Sequence, residues 1–210
     1  MTERPINLHA HEVRAALAGS LGLIVRPVKP QPFNDDKVYI GLFAPMGISR
    51  DGTQYAKEEV YGAWSEDGEW SQKSPFGQPG DKLWGRETFR FDFDIRIESD
   101  KLTRSTWQLA YGADEPELRK VNWRPSTHMP RWASRITFET TSIAVKQVRD
   151  ITEAEAMACG VERIEISPRE IDGIAVHPMT GTYVDAFHDW YQKQYGDAHW
   201  AWFASVKGAE

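Results

Sequence analysis

The chain has 210 residues and a mass of 24.0 kDa, enough to bury one core, and 31 Asp and Glu against 25 Lys and Arg give it a formal net charge of −6. A pI near 5.6 excludes coating of long duplex nucleic acid by bulk charge, and the single cysteine, Cys159, excludes an internal disulfide and a cysteine-rich zinc site. Met1 leads into a polar opening and no apolar run approaches the roughly 18 residues of a membrane span, so a soluble cytoplasmic protein without signal peptide or membrane partner is expected.

Ile6 to Leu8 suits a short opening strand, and His11 to Ala18 a short helix with Val13 and Leu17 on one face and Gly19 as its left-handed stop. Leu21 to Val28 reads as a strand ended by Lys29-Pro30-Gln31-Pro32, and Val38 to Phe43 as another. Residues 44–79, rich in Gly, Ser, Asp and Glu, are expected as an irregular insertion. After a turn at Gly80-Asp81, the segment Lys82 to Glu87 forms a strand with Trp84 and Arg86 on one face and Leu83, Gly85 and Glu87 on the other.

Phe89, Phe91, Phe93, Ile95 and Ile97 alternate with Arg90, Asp92, Asp94, Arg96 and Glu98, the pattern of a half-buried antiparallel strand, and Thr106 to Tyr111 supplies another. In the strand Ser134 to Val145, Ile136, Phe138 and Thr140 share a parity that Ile143 and Val145 leave, so an extra residue near Thr141 implies a β-bulge. Thr152 and Glu155 form a capping box, and Gly160 closes the helix that follows it. Residues 161–186 are expected as a second irregular insertion. Phe187, Trp190 and Tyr191 mark an amphipathic helix ending near Gly196, and Trp200 to Val206 is the final strand. Short antiparallel strands with a few short helices predict an α+β fold built on a small barrel, formed by Leu21–Val28, Phe89–Ile97, Ser134–Val145 and Trp200–Val206.

The most distinctive stretch is Trp123 to Arg135. Between Leu118 and Phe138 lie Arg119, Lys120, Arg124, Arg131 and Arg135 with His128, Trp123 and Trp132, and no carboxylate. A second acid-free stretch, Val13 to Asn34, holds Arg14, Arg26 and Lys29. Pro125 and Pro130 keep Arg124 and Met129 out of the helical region, which predicts an extended, turned loop. Planar guanidiniums and indoles on such a loop suit phosphates and base faces; the plainer reading makes the tryptophans core and the arginines a solvated rim. No GxGxxG, Walker lysine or GxSxG elbow is present, so a kinase or dehydrogenase is not expected. His9 and His11 lack a third ligand, and the simpler role for that pair is a capped helix start, so no metal or cofactor is expected. His128 is a candidate base or hydrogen-bond partner, Glu87 either a carboxylate paired to the cationic loop or a general acid or base, and Cys159 reads as packing.

These residues resemble a known family. Val13-Arg14-Ala15 to Leu17 with Gly19, Val28-Lys29-Pro30-Gln31-Pro32, Gly80-Asp81 with Leu83-Trp84 and Arg86-Glu87, Trp123 to Ile136, Asp150 to Gly160 and the closing helix and strand resemble ASCH domains of the PUA-like superfamily, in the version found in phage and prophage proteins. The resemblance implies a small β-barrel with a cleft, related to folds that bind RNA or modified bases; some ASCH proteins are amidohydrolases acting on acetylcytidine. In the family pattern G-x-K-x-x-T-x-R the lysine and threonine fall here on Leu21 and Ile24, leaving Gly19 and Arg26, and the family's catalytic glutamate falls on Cys159. Without the lysine and the carboxylate the means to activate a nucleophile and move its proton are gone, which points to binding rather than that chemistry. The expected ligand is a nucleotide, modified nucleoside or short single-stranded nucleic acid, RNA ahead of DNA. The expected cleft is lined by Arg26, Arg86, Trp123, Arg124, Ser126, His128, Arg131, Trp132 and Arg135. The alternatives are an enzyme on a modified nucleoside that uses Glu87 and His128, and a non-catalytic protein with a phage or host protein partner.

Overall fold

Five strands that are far apart in sequence make the main sheet of the computed structural model, which describes residues 2–32, 37–98, 101–115, 117, 122–163, 165–166, 169–171, 174–176 and 179–209. The chain opens with β1 (Glu3–Asn7), α1 (Ala10–Leu17) and β2 (Leu23–Pro27). Next come β3 (Val38–Phe43), β4 (Met46–Ile48), β5 (Gln54–Ala56), β6 (Val60–Ser65), β7 (Ser71–Lys73) and β8 (Lys82–Arg86). A long hairpin, β9 (Phe89–Glu98) and β10 (Lys101–Tyr111), leads through the Trp123–Arg135 loop into β11 (Thr137–Gln147) and α2 (Glu153–Ala158). Short strands β12 (Glu165–Ile166), β13 (Arg169–Ile171), β14 (Ile174–Val176) and β15 (Met179–Thr180) precede α3 (Tyr183–Tyr195) and β16 (Trp200–Gly208). The result is an α+β fold of mostly strands.

The sheet order is β1-β8-β11-β16-β2, parallel at β1–β8 and antiparallel at the other three pairings. No backbone ladder joins β1 to β2 among the described residues. The two edges nevertheless meet through one side chain: Arg26 of β2 donates to the Asn7 carbonyl of β1 at 2.5 Å and to its own neighbour Val25 O at 2.7 Å. The sheet therefore curls far enough to bring its edge strands within reach of one guanidinium.

Period-2 alternation gives the sheet two apolar faces. Ile24, Val28, Leu83, Phe138, Trp202, Ala204 and Val206 face α1 and the three-stranded sheet β3-β6-β7. Leu23, Val25, Ala201 and Phe203 face α2 and α3, where Ala156, Cys159, Phe187 and Tyr191 complete the layer. Leu21, Ile24 and Cys159 are all buried side chains. Register slips between Thr140 and Ser142, so Thr141 is the extra residue of a bulge, and Gly160 (φ 73°) follows α2.

Three expectations need correction. Residues 44–79 are not irregular: they carry β4 to β7, and Ala63, Trp70 and Phe76 are part of the main core, with the Trp70 indole donating to Pro30 O at 2.9 Å. Its turn-rich composition belongs to the connections between short strands. Residues 161–186 form the nested pairs β12–β15 and β13–β14 and the start of α3. Finally, β9 pairs with β10 in a ribbon of its own rather than joining the main sheet. Phe89 is buried at the ribbon's base; the side chains of 92–98, on which the rest of that expectation fell, lie outside the described residues, as do Arg119 and Lys120.

Candidate functional site

The Trp123–Arg135 loop is fixed to the body at several points. Arg124 and Phe89 exchange backbone hydrogen bonds of 2.8 and 3.2 Å, which pins the loop to the foot of the ribbon. Pro125 (ψ 146°) and Pro130 (ψ 156°) each start a single tight helical turn, Ser126–His128 and Arg131–Ala133, with Met129 extended between them. The prolines thus forbid a continuous helix but permit two separate turns. Buried Met129 and Ala133 pack on Phe89, beside Phe91, Leu109 and Tyr111. Ser134 Oγ donates to Gly85 O at 2.7 Å, and the Tyr111 hydroxyl to Ala133 O at 3.0 Å.

With the loop held this way, carboxylates from distant segments reach several of its arginines. Arg135 closes on both oxygens of Glu87 and both of Asp114 and stacks 3.9 Å from the Tyr111 ring centre. Burial works against its charge, but those two carboxylates hold its pKa above the ordinary arginine value. Glu87 is 3% exposed, so Arg135 reaches from a partly exposed position onto an enclosed carboxylate. Arg131 meets Glu3 at 2.7 and 3.0 Å in an exposed pair that draws the Glu3 carboxyl below its usual range, and it lies 5.7 Å from the Trp84 ring centre. Arg86 lies at the same distance from Trp84; its Nη1 donates to Thr127 O, and its enclosed Nε has no hydrogen-bond partner.

Arg26 sits apart from this loop, against α1. It binds both oxygens of Glu12 at 2.7 and 2.8 Å. Burial alone would raise the Glu12 carboxyl, but the charge and hydrogen bonds of Arg26 outweigh it and hold the pKa low. Glu12 also accepts the His9 backbone N–H, and the His9 ring meets the Tyr195 hydroxyl at 2.8 Å. His9 and His11 are therefore parts of a capped helix start packed on Trp190. Among the described residues no group of three or more His, Cys, Asp or Glu is placed to hold a metal ion.

What remains open to solvent is an aromatic platform. Trp132 is 72% exposed and stacks on Phe91, ring centres 6.1 Å apart at 29°, while the Arg124 guanidinium lies 5.2 Å from the centre of the Phe91 ring. Arg90, Phe91, Asn122 and Arg124 line a cavity of about 430 Å³, and Arg90 also lies over half-buried Trp123 at 4.8 Å. His128 is exposed on the first turn and Ser126 half-buried beside it. Phe91 and Arg90 were not picked from the sequence, because their alternation read as strand core and strand exterior. A larger cavity of about 710 Å³, between Gln31, Trp200 and the end of α3, contains none of the residues picked from the sequence. No helix among the described residues is long and apolar enough to cross a membrane.

Comparison of the chain with protein-family models, with curated proteins and with solved structures gives no match.

Proposed function

We propose that this chain is an ASCH-type, PUA-like protein that binds a nucleotide or a short single-stranded nucleic acid, RNA ahead of DNA, on the Phe91–Trp132 platform. The observation that carries the reading is a 72% exposed indole stacked on a second ring, with the Arg124 guanidinium beside that ring. A flat exposed aromatic accepts any base by stacking, and a neighbouring guanidinium takes the phosphate. Arg86, whose Nη1 donates to Thr127 O, and the exposed His128 belong to the same loop region, and Arg131 is exposed but already paired with Glu3. Arg26 and Arg135 serve it indirectly, by holding α1 and the loop in place. The curled sheet, with its edges linked by Arg26, is in keeping with a PUA-like barrel.

Glu87 favours no acid–base role, since Arg135 occupies both of its oxygens. The test is titration of single-stranded RNA, single-stranded DNA and free nucleotides against the wild type and Trp132→Ala. Base stacking is worth about 1–3 kcal/mol per base, so the variant should bind roughly ten- to hundred-fold more weakly. A wild type that binds none of these ligands removes the proposal.

A further inference from the structure

The sheet β3-β6-β7 turns Val38, Ile40, Tyr61 and Ala63 to the core, which leaves Tyr39, Phe43 and Trp64 on its outer face. The Tyr39 and Trp64 ring centres are 6.2 Å apart at 25°, and those of Phe43 and Trp64 5.4 Å apart at 41°, so the three rings make one row. The row is seated on glycine. Gly41 and Gly62 face each other across the ladder; a Cβ on Gly41 would lie 3.5 Å from the Trp64 ring, and one on Gly62 would lie 2.7 Å from the Phe43 ring. The hairpin β4–β5 repeats the arrangement, with Tyr55 opposite Gly47 and its ring 2.7 Å from where a Cβ would stand. A ring laid over a glycine covers backbone with one side and offers the other outward. Trp64 and Phe43 are accordingly half-buried, and Tyr39 and Tyr55 are 42% and 48% exposed.

Beside the row lies an open cleft of about 610 Å³, lined by Tyr55, Lys57, Glu58, Val60 and Lys73 among others. Val60 is the ladder partner of Phe43 and Lys73 that of Gly62, so cleft and rings form one surface. Its charges narrow the ligand. Lys57 and Lys73 stand against Glu58 and, at the Tyr39 end, Glu66, whose carboxylate accepts from the Tyr39 hydroxyl at 3.4 Å. Among the described residues Lys57, Lys73 and Glu58 have no ion-pair partner. The β6–β7 turn next to Trp64 carries Glu66, Asp67 and Glu69 and no base, which opposes a phosphate backbone, while Lys73 in the middle of the face opposes a cation.

A neutral polyhydroxylated ring suits such a surface. Unpaired lysines donate to its hydroxyls and carboxylates accept from them. Where all the ring substituents are equatorial, the axial C–H bonds make both sugar faces apolar, and their slight positive charge meets the negative face of an aromatic ring. From this we infer that the outer face of β3-β6-β7 binds a β-1,4-linked oligosaccharide of glucose or N-acetylglucosamine type, laid along Tyr39, Trp64 and Phe43 and into the cleft at Tyr55. The Phe91–Trp132 platform differs in having arginine beside its ring, and this inference stands without it.

Calorimetric titration of the full chain with cellohexaose and with N-acetylchitohexaose should give a dissociation constant between about 10 µM and 1 mM for at least one of them, and the pair distinguishes the two sugar types. The value should be the same at roughly 50 and 500 mM salt, because no counterions are released. Tyr39→Ala and, separately, Tyr55→Ala, each on an exposed ring, should weaken binding roughly ten-fold and leave single-stranded RNA titrations as in the wild type. The Trp64 indole resonance should move on titration of the wild type, a readout that needs no variant. No binding of either hexasaccharide at about 5 mM, affinity that survives both alanines, or an unmoved Trp64 resonance overturns the inference. Equal affinity for α-linked maltohexaose, whose sugars coil away from a flat strip, does so too. RNA binding that is lost in Tyr55→Ala, with no sugar bound by the wild type, also overturns it and assigns the face to nucleic acid.

Discussion

Arg135 grips Glu87 through two hydrogen bonds of 2.8 and 3.0 Å at a point where Glu87 is 3% exposed. Arg124, eleven residues earlier in the same loop, lies beside the Phe91 ring and meets no carboxylate among the described residues. Two arginines that look alike in the sequence should therefore fail in different ways. Arg135→Ala leaves Glu87 enclosed without its counter-charge. The cost for fully buried pairs is about 3–5 kcal/mol, and partial exposure of Arg135 lowers it here to roughly 2–3 kcal/mol. Urea unfolding should show that loss.

Arg124→Ala should leave the urea midpoint within about 0.5 kcal/mol of wild type, as an exposed substitution does. Its effect should be on ligand affinity, roughly ten-fold, with a shallower salt dependence by about one phosphate contact. An unchanged affinity with a lowered midpoint would make Arg124 a structural residue and shift the phosphate role to Arg86.

Stability should fall as the pH drops from 7 to 5. Burial lowers His11 from 6.5 to about 4, and Arg26, Arg14 and His9 push the same way against Glu12. The folded protein thus holds His11 neutral while the unfolded chain protonates it below 6.5, so its contribution is full above that pH and is lost as pH falls towards about 4. His9 shifts in the same direction, also by burial. Between pH 7 and 5 the loss from His11 should be roughly 2 kcal/mol. His11→Gln should flatten this slope in urea titrations at the two pH values; an unchanged slope would assign it elsewhere.

Gly160 and Gly196 make a second contrast. Both have positive φ, 73° and 64°, but a Cβ on Gly160 would lie 2.4 Å from Ala15 Cβ in α1, while one on Gly196 meets nothing within 4 Å. Gly196, with ψ −139°, sits where backbone strain alone should cost an alanine roughly 1–3 kcal/mol. Gly160→Ala adds the clash of α2 against α1 to its own backbone strain and should cost at least about 2–3 kcal/mol. A Gly160→Ala loss of no more than about 1 kcal/mol, the strain of a left-handed residue alone, would mean that the helices separate easily.

Local signals in the chain predict local structure well. The Thr152–Glu155 box, the stop at Gly160, the bulge at Thr141 and the last strand each rest on a few neighbouring residues, and each is where the pattern puts it. The strands of 44–79 were illegible because each is only three to six residues long, too short for alternation to stand out from the turns around it. The candidate site failed to show for a different reason. Glu3 lies 128 positions from Arg131, and Glu87 lies 48 from Arg135, so an acid-free segment of sequence is not an acid-free region of space. The loop's exposed remainder, Trp132 and Arg124 against Phe91, emerges only once those pairs are subtracted.

The link from Arg26 to Asn7 O has a bearing on how the protein stays dispersed. A curled sheet with no ladder between its outer strands among the described residues leaves two rows of backbone groups that another chain could extend, and here one guanidinium occupies part of both. Shortening that side chain would free β1 and β2 together. Strand-to-strand aggregation on mild warming, rather than simple melting, is the failure that such a seam holds back.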